Sequence, residues 1–198
     1  MPSKLIVHGN ATATASNIAA QLISQAGFIF VALALYHLLK GVNRRYASLM
    51  VTLVVLGIPI AFLNELNSIA ALTLVRGADF LSIFEKPQRD ALAMLVLNLH
   101  HHGFVIAEIF WGLWLFPLGL LVYRSRFLPR FLGVWLAIDG FAYLTLSLTS
   151  VLLPQYSDKV STYSQPALFG EVAFMLWLVI KGAKPPALDA AASLSAAG

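Results

Sequence analysis

The stretch IFWGLWLFPLGLLVYRSRFLPRFLGVWLAIDGFAYL, residues 109–144, decides the fold: it sets two apolar runs on either side of a short turn that carries Arg124, Arg126 and Arg130. A bilayer core of about 30 Å asks for about 20 predominantly apolar residues per crossing helix. Basic residues gather at the ends of such helices, chiefly on the cytoplasmic side. Residues 109–123 and 131–144 contain no Lys or Arg at all. Two membrane-crossing helices joined by a basic turn are therefore expected here.

The rest of the chain has the same character. Its 198 residues are 59% hydrophobic and only 11% charged, with a mean hydropathy of +0.80. A soluble domain is about 25% charged, so the charges present could not cover a water-facing surface. The net charge of +4 comes from Lys and Arg at the ends of apolar blocks, not from a clustered face. A polyanion-binding surface needs such clustering, so nucleic acid is not an expected partner and the lipid bilayer is. There are no cysteines, which excludes disulfides, thiolate metal sites and dithiol redox chemistry. Residues 1–17 carry one Lys, and the apolar run begins only after them, so they do not read as a cleavable signal.

Five spanning segments follow. The first covers residues 17–39 and is the most polar, with Gln21, Ser24 and Gln25. The second covers residues 46–75 and is interrupted by Pro59, expected to kink it, and by Asn64, Glu65, Asn67 and Ser68. A connector containing FLSIF suits a segment lying in the interface, and Pro87 is placed to open the next helix. The third segment runs to Tyr123 and is too long for a simple span, so it must tilt, kink at Pro117 or project from the membrane. The fourth covers residues 131–153. A polar loop with Tyr156, Asp158, Lys159 and Tyr163 leads to a short fifth, from Pro166 to Lys181. Residues 1–183 read as one transmembrane domain. Residues 184–198, with little large apolar content, read as a disordered cytoplasmic tail.

Counting Lys and Arg in the short loops gives the orientation. One side holds Lys40, Arg44, Arg45, Arg124, Arg126, Arg130, Lys181 and Lys184; the other holds Lys4, Arg76, Lys86, Arg89 and Lys159. Eight against five puts the first side, and the C-terminus, in the cytoplasm.

An ionisable group in a spanning segment is costly and is a functional-site hypothesis by default. Counted from the cytoplasmic anchors at about 1.5 Å per residue, Asp139 lies about 14 Å in, Glu171 about 15 Å, Gln25 about 22 Å, Glu108 about 24 Å, Glu65 about 29 Å and His101 about 35 Å. These groups fall at mid-depth or on the outer side. Gln25, Asn64, Glu65, His101 and Glu108, together with Gln21, His100 and His102, are thus candidates to line a polar pocket opening outward, with Asp139 and Glu171 at its floor. The plainer reading is that each polar group bonds a neighbouring helix separately. Glu108 is the foremost candidate acid, with a protonated carboxyl bonding Gln25 or a carbonyl as its structural alternative. Glu171 lies where a helix dipole favours an acid, and Asp139 is placed to bond Tyr143 one turn on.

The run His100, His101, His102 invites a metal reading. Consecutive helical residues point about 100° apart, so three in a row do not chelate one ion. No metal or other cofactor is expected. Gly112 and Gly119, and Gly133 and Gly140, repeat at seven-residue spacing and read as packing seams. Arg124, Arg126 and Arg130 could grip lipid phosphates, although topology anchoring accounts for them.

The stretch 109–144 closely resembles the signature of the bacterial membrane-protein family catalogued as domain of unknown function 4386. LIVHGNATATASNIA (5–19), ALYHLLKGVNRRYASLM (34–50) and QPALFGEVAFMLWLVIKG (165–182) are similar to its other recurrent blocks. The resemblance implies an all-α integral membrane protein of the bacterial inner membrane, without an activity or site residues to carry over. It also implies six spanning helices, one preceding residue 5, where this sequence gives five.

Three functional classes follow: a protein binding or passing a small molecule or ion through the outward pocket, a helper subunit contacting a membrane-protein partner through its helices, and an intramembrane enzyme. The enzyme ranks last, because no hydrolase, Walker, Rossmann or zincin motif is present.

Overall fold

The computed structural model describes residues 11–183, so the tail expected at 184–198 and the first ten residues lie outside it. The described chain is helical throughout, with α1 at Ala11–Leu39, α2 at Arg44–Arg76, α3 at Lys86–Arg124, α4 at Arg130–Leu152, α5 at Ser157–Ser164 and α6 at Gly170–Lys181. Short 3-10 turns occupy Asp79–Leu81, Pro154–Tyr156 and Ala167–Phe169.

Four of these helices, α1 to α4, are long and apolar enough to cross a membrane. A fifth crossing exists if Pro154–Ser164 and Ala167–Lys181, bent by 50° at their junction, count as one span. Large apolar side chains face away from the protein along these helices, among them Phe30 at 72% exposure, Leu63 at 65% and Val179 at 82%. Water would not tolerate so many, whereas lipid is their natural solvent. The protein is an all-α membrane protein.

The helices begin and end where the sequence supplies the chemistry. Asn43 opens α2, its side-chain oxygen accepting the Tyr46 N–H at 3.1 Å, so that one of the donors left over at a helix start is satisfied. Pro87 sits at the second position of α3, where its missing N–H costs nothing. Pro59 and Pro117 lie inside α2 and α3, and the helical run continues through both. At 39 residues α3 is longer than a simple span needs. The connector after α2 holds a 3-10 turn, with Phe80 and Ile83 exposed and Leu81 buried.

The expected polar loop after α4 is not a loop. Residues 157–164 form α5, which packs on α4, and Ser150 and Ser157 hydroxyls meet at 2.9 Å. Its few apolar residues hid it from a hydropathy reading. Pro166 follows at the bend, where a residue without an N–H breaks the helical ladder.

The chain divides into two compact units. Of the described residues, the first comprises 11–29 and 57–107, the second 30–56 and 108–183. Buried apolar residues of the first unit are mostly small or medium: Ile18, Ile58, Ala61, Ala71, Ala93 and Val105. In the second unit Trp114, Phe174, Met50 and Leu39, Leu115, Leu118, Leu121 and Leu132 are almost wholly enclosed. There α3 and α4 touch backbone to backbone. A Cβ added at Gly112 would stand 2.8 Å from the Gly140 carbonyl oxygen, and one at Gly119 would stand 2.6 Å from that of Gly133. The glycines seven residues apart are the seam of an antiparallel helix pair.

Candidate functional site

The polar residues singled out in the sequence fall into both units. Gln25, Asn64, Glu65 and His101 belong to the first, and Glu108, Asp139 and Glu171 to the second.

In the first unit the ordering principle is a clamp between α2 and α3. Asn64 is buried, and its Nδ2 donates to the His100 carbonyl oxygen at 2.9 Å. In return His100 Nδ1 lies 3.2 Å from the Asn64 carbonyl oxygen and 3.1 Å from Ser68 Oγ. A carbonyl only accepts, so the bond to it places the proton on Nδ1. Asn67 Nδ2 donates to Asn64 Oδ1 at 3.2 Å. Gly103 makes the approach possible, because an added Cβ there would collide with the Asn64 side chain. Interhelical bonds of this kind hold spanning helices together.

Of the three consecutive histidines, then, His100 is the one turned towards α2, while His101 and His102 are exposed. Gln25 and Glu65 are half-buried on α1 and α2. Among the described residues no three His, Asp or Glu side chains converge as a metal ion would require.

The second unit holds the more unusual group. Asp139 has no exposed surface. One of its oxygens, Oδ2, accepts the backbone N–H of Glu171 at 3.1 Å, in the first turn of α6. The other, Oδ1, has no hydrogen-bond partner among the described residues. The expected bond to Tyr143 is not the one formed, because Oδ2 is taken by the Glu171 N–H, and the Asp139 side chain lies against Gly170. Gly170 is what lets it in: an added Cβ would meet Asp139 Oδ2 at 3.0 Å and Trp135 Cδ1 at 3.1 Å.

Glu171 and Glu108 are half-buried. Tyr143 lies on the same helix as Asp139, one turn further on. Its ring meets Trp111 edge to face at 6.3 Å. The second unit thus holds three carboxyl groups, Asp139, Glu171 and Glu108, on its helices, with no cation paired to any of them among the described residues. A buried carboxylate with one oxygen unsatisfied costs several kcal/mol unless something positive reaches it. Chemically, the enclosed Asp139 carboxyl with its free oxygen is suited to holding a proton.

Sequence reasoning singled out the three acids but overlooked Gly170 and Trp135. A signal existed for Gly170, since a glycine directly before an acid at a helix start suggests close approach. Nothing in the sequence marked Trp135.

The sequence profile described as "Domain of unknown function (DUF4386)" matches residues 1–182 of the chain. An uncharacterized protein of the archaeon Archaeoglobus fulgidus is 32% identical over 156 residues, which is 79% of this chain and 77% of that protein. No solved structure matches.

Proposed function

Since the chain belongs to the DUF4386 family, whose description assigns no activity, we propose that it binds, and passes through the membrane, a proton at the enclosed Asp139, with Glu171 and Glu108 as further acceptors. The observation that carries this reading is the fully enclosed Asp139 with an unpartnered oxygen. A group that only tied helices together would have both its polar atoms satisfied, as Asn64 does in its clamp, with Nδ2 donating and Oδ1 accepting. Here one oxygen anchors the start of α6 and the other is left for a charge that comes and goes. Glu108, with no hydrogen bond or ion pair among the described residues, supplies a second acceptor. An enzyme reading gains nothing from the cluster, which lacks a nucleophile paired with a base.

We also infer a cell-membrane location, bacterial by the family resemblance, with the arginine-rich helix ends and the C-terminus in the cytoplasm. The support is the count of eight basic residues against five.

The reading is tested in proteoliposomes carrying a pH-sensitive dye, with wild type and Asp139→Asn compared under an imposed proton gradient. Wild type should dissipate a gradient that the variant holds. Equal leakage from both would remove the proposal.

A further inference from the structure

We propose that the turn joining α3 to α4 is a binding site for the phosphate of an anionic lipid headgroup, with Arg126 at its centre and Arg124 and Arg130 flanking it. The turn is built rigidly. Ser125 is buried; its hydroxyl donates to the Val122 carbonyl at 2.8 Å and accepts the Leu128 N–H at 3.2 Å. Within this pinned turn Arg126 has φ of 60°, the one positive φ among the described non-glycine residues. Glycine would take that conformation without strain, whereas a side chain there is disfavoured. An exposed guanidinium held against its backbone preference is better explained by something that it grips than by chain reversal alone.

Its neighbours are arranged for the same purpose. The Arg124 guanidinium lies over the Tyr46 ring at 5.8 Å, and that of Arg130 over the Tyr123 ring at 5.6 Å. Stacking on a ring holds a guanidinium by its face and leaves its edge N–H groups to fork a phosphate. Among the described residues no acid is paired with them. Residues 109–138 and 1–64 contain no Asp or Glu, and the ion pair found among the described residues is Lys86 with Asp90, in the other unit.

Location selects the lipid over a soluble anion. The turn sits at the ends of two helices long and apolar enough to cross a membrane, where headgroups are expected, beside Tyr46 and Tyr123, residues of the kind that line the interface. Phe131, next to Arg130, is 60% exposed and offers an apolar surface to an acyl chain. This site uses none of the residues of the carboxyl cluster.

The experiment is native mass spectrometry of the purified full chain taken from micelles mixed with phosphatidylglycerol and phosphatidylcholine, for wild type, Arg126→Gln, Arg126→Gly and Arg126→Lys. Wild type should retain phosphatidylglycerol preferentially. Both uncharged variants should lower that preference roughly fivefold, the factor matching about 1 kcal/mol per basic residue near an anionic surface, with Arg126→Lys in between. Arg126→Gly should unfold at a higher temperature than Arg126→Gln, because it removes the backbone strain, so loss of selectivity cannot be put down to loss of fold. Unchanged selectivity in both uncharged variants would reduce the turn to a topology anchor and overturn the proposal. Displacement of the lipid by soluble glycerol phosphate at equal concentration would also overturn it, as the mark of a free-phosphate site.

Discussion

Asp139 and Asn64 are both buried polar residues on spanning helices, yet they are solved differently, and the difference can be measured. Replacing Asp139 with Asn keeps an oxygen to accept the Glu171 N–H, so the fold should survive with a loss of no more than about 1–2 kcal/mol. Asp139→Leu removes the acceptor and orphans that N–H, and should cost about 1–3 kcal/mol more. Both should abolish proton passage, and reversible thermal unfolding in detergent would give the stability order. Gly103→Ala drives a methyl into the Asn64 side chain and should cost about 1–3 kcal/mol. Combining it with Asn64→Ala should cost less than the two single losses added together, because the colliding atoms are gone; strict additivity would mean that the collision is not the cause. The residue scale is also where sequence reading stops. It finds three histidines in a row and can say that they diverge. Which of them faces α2 depends on the rotational setting of α3, fixed by Gly103 fitting over Asn64, and no local pattern encodes that setting.

Helix pairing was more legible. The seven-residue repeats of Gly112 with Gly119 and Gly133 with Gly140 name the seam, and the short basic turn between them forces the helices antiparallel, so that Gly112 meets Gly140 and Gly119 meets Gly133. A Cβ at either member of the second pair would stand 2.6 Å from the other's carbonyl oxygen, too close for any real atom. Gly119→Ala and Gly133→Ala should each destabilise by about 1–3 kcal/mol. The double variant should cost less than their sum, since helices already pushed apart by one methyl leave room for the second. Additive losses in the double-mutant cycle would argue that the two helices do not share one contact. What escaped was α5, because its sequence SDKVSTYS is polar and helix formation there rests on packing against α4 rather than on an apolar run. The placement of Glu171 escaped for a related reason: its depth was countable from Lys181, but its backbone bond to Asp139 depends on the bend before α6.

For the molecule as a whole, the open quantities are the number of crossings and their direction, and the composition makes both accessible. With no cysteine in the chain, single cysteines can be introduced without removing any native residue of that kind. Gly41 lies between α1 and α2 with open space around it, Ser82 is exposed between α2 and α3, and Lys181 is exposed at the end of α6. If the basic ends face the cytoplasm, a membrane-impermeant maleimide should label Ser82→Cys in intact spheroplasts and Gly41→Cys only in inverted vesicles. Lys181→Cys then decides between four crossings and five. Should the bent pair Pro154–Ser164 and Ala167–Lys181 cross as one span, Lys181→Cys will label together with Gly41→Cys. Should it turn back at its 50° bend as a re-entrant segment, Lys181→Cys will label with Ser82→Cys instead. The cost of non-helical backbone in lipid favours the crossing, because the break at the bend is only two residues long and carries Pro166, which has no N–H to satisfy. Labelling of Gly41→Cys from outside would reverse the orientation of the whole molecule and move the arginine turn to the outer leaflet.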